Sequence, residues 1–440
     1  MYNTKERGFL SRRCFNRMLG TAGLAATVPA FATRAFAAAE DTIRIGFVGP
    51  RSGPLGIFGE GDAFLIEKLQ ANLADGLDIG GKRYAVEVVL GDTQSDPVRA
   101  SQVTKDLING ANIDLMITAS TPETVNPVAD ACEAAGMPCL STTAPWESFY
   151  FGRGGKPGEQ TFKWTYHFCF GTSNFVTLYT DQWSQLDTNR KVGMLMPNDA
   201  DGNAIRSALM PALQEAGWDC IDPGPYENMS ADFTKHIKAF KDAGVEIVNA
   251  FPFPPDFPVF WRQAAQQGLA AQTRIMQMAK AGLFAAELEA MGPLGNGLHA
   301  GAYWHPNFPF SSPALGMTSA EIAAGYEAAS GKQWNQQVGA TASLFDAAVA
   351  TLVASGAPKD KPAIAGAMAG LECNTAVGPI DFSGGTLGSA VSNCCETHLV
   401  GVQWNQAADG PWEYQLDVVS NADHPEVPTT AAMTAYKLPG

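Results

Sequence analysis

The sequence predicts an α/β fold of two lobes, and three observations lead to this expectation. Short apolar strands alternate with helical patterns from residue 42 onward, at roughly 20–30 residues per unit, which is typical of parallel sheets covered by helices. A glycine-containing stretch at 149–159 interrupts the alternation, which restarts at Lys191. The chain of 440 residues is long enough for two domains, each with its own core.

The first unit of this pattern runs from Thr42 to Gly61 and into the following helix. Ile43, Ile45 and Phe47 share one parity, as a strand requires. A loop rich in glycine and proline follows, and apolar residues from Phe64 onward then recur at helical spacing. Such a loop lies where open α/β sheets bind ligands, although glycine and proline can equally mark a simple turn.

The remaining elements of the first half follow in the same order. We expect strands at 84–90, 113–117 and 137–140, and helices at 98–108 and from 120 to 135. In the second half, expected strands are 191–196, 245–251, 274–278, 298–303, 380–382 and 399–404. Expected helices are 204–216, 233–243, 259–268, 319–330 and 341–355.

The N-terminus has the pattern of a cleaved export signal. Arginines at 12, 13 and 17 precede an apolar stretch at 18–32, and Ala35-Phe36-Ala37 matches an A-x-A cleavage site. Ser11-Arg12-Arg13-Cys14-Phe15 is a twin-arginine pattern, although Asn16 departs from the usual apolar residue. We therefore expect a soluble periplasmic protein that begins after Ala37.

The charge of the chain limits its partners. The formal net charge is −15, and removal of residues 1–37, with six basic and one acidic residue, changes it to −20. A surface this acidic argues against nucleic acid or anionic lipid as a partner.

Seven of the eight cysteines lie after the signal, an odd number for an oxidising compartment. Cys132 with Cys139, and Cys373 with Cys394 or Cys395, are the candidate disulfides. Buried free thiols are an equally good interpretation.

Several motifs together resemble a known family. They are Ile43–Pro54 (IRIGFVGPRSGP), Gly91–Pro97 (GDTQSDP), Pro138–Ala144 (PCLSTTA) and Gly378–Phe382 (GPIDF). In this order they resemble the periplasmic leucine/isoleucine/valine-binding proteins, the solute receptors of ABC importers with the type I periplasmic-binding fold.

The resemblance implies a fold and a way of working. Two Rossmann-like lobes with parallel-rich sheets would be joined by a crossover hinge, with lobe 1 at 41–165 plus 304–375 and lobe 2 at 166–303 plus 376–440. A small ligand would bind in the cleft, and closure of the lobes would signal an ABC permease in the inner membrane.

The resemblance also carries over candidate ligand contacts in the first lobe. Phe58 matches the aromatic residue that packs on the ligand side chain. Ser120, Thr121 and Thr143 follow the third and fourth strands, where small hydroxyl groups hold the ligand carboxylate. Trp146 adds a large flat surface to this region.

In the second lobe, Asp201 stands where the family has an aromatic residue, and Phe253 matches the next aromatic position. Trp304 follows a predicted strand and is a further candidate. The acid that pairs with the ligand ammonium falls near Lys280, which is a basic residue.

Two explanations of the lysine at this position, where the family has an acid, are open. If Lys280 lines the cleft, the ligand carries a second anionic group, or a carboxylate without an ammonium. Alternatively, Asp201 or Asp199 holds the ligand ammonium, and Lys280 is a solvated residue at the start of a helix.

Known enzyme motifs are missing from the sequence. The six histidines have no HExxH or paired-ligand spacing, and there is no G-x-S-x-G elbow. We therefore expect no catalytic residue, metal site or cofactor, and a ligand that is an amino acid, an amide or a related organic acid. The alternatives are a binding protein that reports to a regulator or chemoreceptor, and an exported cofactor enzyme.

Overall fold

The computed structural model describes residues 42–440, and all structural statements refer to this range. The predicted export signal, its twin-arginine pattern and the cleavage point at Ala37 lie outside the described residues.

Residues 42–168 contain six strands and four helices in a largely alternating order. The strands Leu77–Ile79 and Thr165–Phe168 and the helix Trp146–Tyr150 are not among the elements that the sequence predicts. The strands are β1 (Thr42–Gly49), β2 (Leu77–Ile79), β3 (Lys82–Asp92), β4 (Leu115–Ala119), β5 (Cys139–Thr142) and β6 (Thr165–Phe168). The helices are α1 (Asp62–Asn72), α2 (Pro97–Gly110), α3 (Pro122–Ala135) and α4 (Trp146–Tyr150).

Residues 169–302 add a second alternating series. Its strands are β7 (Lys191–Leu195), β8 (Asp219–Ile221), β9 (Ile247–Ala250), β10 (Ile275–Met278) and β11 (Leu298–Ala302). Its helices are α5 (Thr172–Trp183), α6 (Ala200–Glu215), α7 (Thr234–Ala243), α8 (Asp256–Gln266) and α9 (Ala285–Glu289).

The C-terminal part contributes to both series. Its strands are β12 (Ser311–Ser312), β13 (Met317–Thr318), β14 (Glu372–Thr375), β15 (Gly378–Asp381), β16 (Cys394–Cys395), β17 (Val400–Gln406) and β18 (Tyr414–Ser420). Its helices are α10 (Ser319–Ser330), α11 (Gln336–Ser355) and α12 (Lys361–Ala369).

Two seven-stranded sheets form the two lobes. The first has the order β16-β6-β5-β4-β1-β3-β2, and the second has the order β18-β17-β11-β10-β9-β7-β8. Pairing is parallel except for β2 in the first sheet and β17 and β18 in the second. All five residues of β4 are buried, as expected for a central parallel strand with both faces covered. The predicted α/β fold with two parallel-rich lobes is confirmed.

The chain crosses between the sheets three times. It passes from β6 to α5, from β11 towards β12, and from β16 to β17, and these connections form the hinge. The lobe ranges expected from the sequence stay a prediction. The predicted range of lobe 2 includes 166–168 of β6 and all of β16, whereas both strands pair in the first sheet.

Helix α11 lies across the first sheet against β4 and β5. It is long and apolar enough to cross a membrane by composition, but 72% of its most apolar window is buried inside the protein. It therefore has the properties of a core helix. It begins at Gln336, earlier than the predicted 341, because the Asn335 side chain accepts a hydrogen bond from Val338 N and caps its first turn.

Candidate functional site

A cavity lies between the two sheets, at the carboxyl ends of their parallel strands. Its empty space is about 580 Å³, including space open to solvent at its mouth. The first lobe contributes Phe58, Thr121, Pro122, Thr143, Ala144 and Pro145 to the lining. The second lobe and the hinge contribute Phe170, Phe175, Tyr179, Asp201, Phe251, Met278, Ala279, Lys280, Leu283, Gly301, Tyr303 and Leu399.

The loop after β1 brings Phe58 to the cavity. Gly53 has φ +80, and a Cβ there would lie 2.7 Å from Gln94 O, so this turn requires glycine. The next turn, Gly56–Gly59, buries Phe58 against the second lobe, where its ring meets that of Phe284 edge-on at 5.0 Å. Phe58 therefore lines the cavity, and its contact with a ligand stays a prediction.

Two hydroxyl groups lie at the start of α3 without a partner. Ser120 and Thr121 are 0% and 3% exposed, and their Oγ and Oγ1 atoms have no hydrogen-bond partner among residues 42–440. Thr121 is the N-cap of α3 and lines the cavity. Because a hydroxyl can donate and a helix N-terminus attracts negative charge, this position suits an acceptor oxygen of a ligand.

Thr143 occupies a strained backbone position directly after β5. Its φ of 83° is unfavourable for a β-branched residue. Its hydroxyl donates to Gln337 Oε1 of α11 at 3.2 Å, which helps to hold the turn. Strain of this kind is found where a loop must present itself to a ligand.

A buried ion pair faces the cavity from the second lobe. Lys280 Nζ lies 3.0 Å from Asp201 Oδ2 and 3.9 Å from Asp199 Oδ2. Burial disfavours the charged lysine, but the attraction of Asp201 and Asp199 outweighs it and raises the pKa of Lys280. Both predicted residues therefore line one cavity, and the account of Lys280 as a solvated residue is wrong, because the residue is only 9% exposed.

The first lobe adds two polar groups to this ion pair. Ser148 Oγ donates to Asp201 Oδ1 at 3.4 Å, from α4 to α6. Glu123, in the first turn of α3, is within electrostatic reach of Lys280. Burial raises the pKa of Glu123, and the attraction of Lys280 only partly offsets this effect.

A group of packed aromatic rings also lines the cavity. Phe170 lies 5.7 Å from Tyr303, stacked, and 5.1 Å from Phe175, edge-on. Phe175 also meets Phe251 edge-on at 5.7 Å. The sequence analysis missed Phe170, Phe175 and Tyr179, because they lie on the crossing from β6 to α5, which has no motif in the resemblance.

Four predicted residues are not part of the lining of this cavity within residues 42–440: Ser120, Trp146, Phe253 and Trp304. Trp304 is buried and donates from Nε1 to Ser319 Oγ at 3.2 Å. Since side chains alternate beyond the end of β11, Tyr303 faces the cavity and Trp304 faces the core of the first lobe.

Trp146 and Phe253 also pack away from the cavity. Trp146 is 2% exposed and belongs to a core cluster with Val125 and Phe149. Phe253 is half-buried and packs against the main core. Ser120 lies behind Thr121 at the end of β4.

The seven cysteines of the described range are all free thiols. The disulfides considered between Cys132 and Cys139, and from Cys373, are therefore not formed, and the interpretation as free thiols applies. The part of the chain that the structure describes holds no group of three or more His, Cys, Asp or Glu side chains arranged for a metal ion.

Two α/β lobes, three chain crossings and a cavity between the lobes define a type I periplasmic-binding fold. Solved structures share it. A leucine-binding protein from Thermotoga maritima has a TM-score of 0.69 at 16% identity, covering 87% of this chain and 99% of that chain. A solute-binding protein of an ABC transporter from Rhodopseudomonas palustris BisB5, in complex with 3,4-dihydroxybenzoic acid, has a TM-score of 0.68 at 16% identity, covering 86% and 96%.

Sequence comparison assigns the family. The sequence model described as periplasmic binding protein matches residues 42–403, so the chain belongs to the periplasmic binding protein family. A leucine-, isoleucine-, valine-, threonine- and alanine-binding protein from Pseudomonas aeruginosa is 27% identical over 266 residues. That match covers 58% of this chain and 66% of the relative, just under two thirds of its length.

Proposed function

We propose that this protein is the substrate-binding component of an ABC importer and captures a small organic molecule between its lobes. The observation that carries the proposal is the cavity lined from both lobes, which combines the Thr121 hydroxyl group with a set of aromatic rings. The names of similar proteins support it, since they include an amino-acid-binding protein and an ABC transporter component.

The ligand is an amino acid, an amide or a related small organic acid. Thr121 Oγ1 and the start of α3 bind its acceptor oxygen, with Ser120 behind them and Thr143 beside them. Phe58 and the ring wall around Phe170 and Tyr303 contact its apolar part.

Closure of the lobes over the ligand is the signal that the partner reads. Contacts between the lobes already connect the cavity walls, since Phe58 meets Phe284 and Ser148 bonds to Asp201. A ligand that touches both walls favours the closed form by its differential affinity for that form. The partner is an ABC permease in the inner membrane.

The protein performs no chemistry and needs no cofactor in this proposal. It reaches the periplasm through the twin-arginine signal at 1–37, cleaved after Ala37. Its net charge of −20 after cleavage fits a partner other than nucleic acid.

Native mass spectrometry of protein purified from the periplasm tests this function. We expect a small organic compound that is released by partial unfolding and rebinds one to one without conversion. A bound metal, a large cofactor or turnover of the compound would contradict the proposal and favour an exported enzyme.

A further inference from the structure

The charges that line the cavity are already balanced against each other. Within the described range, Asp201 is the one acidic side chain and Lys280 the one basic side chain in the lining. Their Nζ and Oδ2 atoms are 3.0 Å apart, and both side chains are at most 10% exposed. The two charged side chains of the lining are therefore paired with each other, and Glu123 of α3 adds a third buried carboxyl within electrostatic reach of Lys280.

The neighbouring carboxylate is also engaged. Asp199 caps α6, where its Oδ1 accepts from Gly202 N at 2.7 Å, and its Oδ2 accepts from Asn228 Nδ2 at 2.9 Å. The same Oδ2 lies 3.9 Å from Lys280 Nζ. A ligand ammonium would have to displace Lys280, and the displaced lysine would be left buried without its partners, which is strongly unfavourable.

The other side of the cavity has the opposite character. Thr121 Oγ1, at the start of the 14-residue helix α3, has no partner at full hydrogen-bond geometry within residues 42–440. It lies close enough to the Glu123 carboxyl to lower the pKa of that group, so a ligand oxygen would take the hydroxyl over from Glu123. This position can hold an acceptor oxygen such as that of a carboxylate. The walls between the two positions are mostly apolar or aromatic.

We propose that Lys280 occupies the ammonium position of the cavity, so that the site selects small carboxylates with an apolar or aromatic body and rejects those that carry an α-ammonium group. This inference rests on the proposed function and narrows its ligand class. Lys280 thus determines specificity because its ammonium group pairs with the carboxylates of Asp201 and Asp199, which a ligand ammonium would otherwise need.

Matched probes test the inference on the wild-type protein, stripped of ligand by partial unfolding and refolding. The pairs are 3-phenylpropanoate with phenylalanine, and 4-methylpentanoate with leucine, which differ only in the α-ammonium group. By isothermal titration calorimetry, we expect the member without the ammonium to bind at least about tenfold more tightly. Tighter binding of either amino acid would overturn the inference but leave the proposed function standing.

The variant Lys280→Met frees both carboxylates while keeping the length of the apolar stem. We expect the preference for the deaminated probe to fall by about tenfold or more. The control Lys238→Met removes the lysine of an exposed ion pair with Asp242 on α7 and leaves the preference unchanged. An unchanged preference in Lys280→Met would also overturn the inference.

A second measurement needs no ligand. Lys280→Ala lowers the melting temperature, and n-propylammonium chloride restores at least half of the loss relative to the same concentration of sodium chloride, because the amine fills the vacated position. Lys238→Ala gains no such recovery. Equal responses of the two variants would show that the pocket around Asp201 does not hold an ammonium group.

Discussion

Ser148 of the first lobe donates a hydrogen bond to Asp201 of the second lobe where the two lobes meet, over 3.4 Å between Oγ and Oδ1. Asp201 receives Lys280 on its other oxygen, so the bond ties the first lobe to the charged wall of the site. Any opening of the lobes has to break it. The hydrogen bond is thus a direct link between the charge of the site and its closure.

We expect Ser148→Ala to weaken binding of the compound that co-purifies, by roughly two- to tenfold. The closed form loses one hydrogen bond, worth about 0.5–1.5 kcal/mol, while the open form is unaffected. Isothermal titration calorimetry measures the affinity. Ser207→Ala, which removes an exposed hydroxyl bonded within α6, is the control and leaves the affinity unchanged. Equal affinities of wild type and Ser148→Ala would show that this hydrogen bond does not stabilise the closed form.

Thr121→Val tests the unpartnered hydroxyl group in the cavity. The substitution keeps the shape of the side chain and removes the donor, which costs about 1.5–3 kcal/mol if the acceptor is charged. We expect an affinity loss of about tenfold or more, and recovery of most of it in Thr121→Ser. A loss of the same size in both variants would assign the effect to packing and not to the hydroxyl group.

Histidine protonation makes the fold sensitive to acid. His167 is buried, and its Nε2 donates a hydrogen bond to the backbone oxygen of Ala144, a residue of the cavity lining, at 2.7 Å. Because Nε2 carries the proton, Nδ1 accepts a hydrogen bond from Ser141 Oγ at 2.8 Å. Burial lowers its pKa from 6.5 to about 3. The folded state therefore binds fewer protons than the unfolded state, and the stability present above pH 6.5 is lost as the pH falls towards 3.

Urea unfolding of wild type and His167→Gln at pH 8 and pH 5 measures this effect. The unfolding free energy of wild type minus that of the variant should fall by about 2 kcal/mol from pH 8 to pH 5, because only wild type has an imidazole to protonate. His398→Gln is a control in which the pH dependence has the opposite sign. The hydrogen bond with Asp423 raises the pKa of His398, so the stability that the protonated His398 contributes is lost as the pH rises. A pH-independent difference for His167→Gln would contradict this account.

Alanine variants of Tyr303 and Trp304 test which of these two adjacent side chains faces the ligand. Trp304→Ala should cost about 3–5 kcal/mol of unfolding free energy, because it empties a core position, without changing ligand affinity at temperatures where the protein is folded. Tyr303→Ala should weaken binding, because this ring lines the cavity. Thermal denaturation and calorimetry on both variants measure the two effects. Reduced affinity in Trp304→Ala at unchanged stability would place Trp304 in the site.

The family resemblance placed Thr121 and Thr143 among the candidate contacts, and both line the cavity. They follow buried strands, and the carboxyl ends of parallel strands meet at one edge of a sheet. The two lobes followed from strand and helix periodicity alone. Tyr303 and Trp304 are adjacent in sequence, and only the register of β11 decides which of them turns to the cavity.

Other parts of the site depend on how the lobes are arranged in space. Asp201 and Lys280 meet because β7 and β10 are both neighbours of β9, an order that no local pattern reveals. Phe170 and Phe175 reach the cavity from the crossing after the four-residue strand β6, which is too short to give a periodic signal. The cavity residues that the sequence analysis missed are therefore mostly those brought together by strand order and by the chain crossings between the lobes.

A crystal structure of the mature protein with the compound that it carries from the periplasm tests the central claim most directly. We predict one small molecule between the lobes, with an oxygen within hydrogen-bonding distance of Thr121 Oγ1 and its body against Phe170 and Tyr303. A compound bound instead in the groove beside Glu289 and Trp412, with the central cavity empty, would contradict the account.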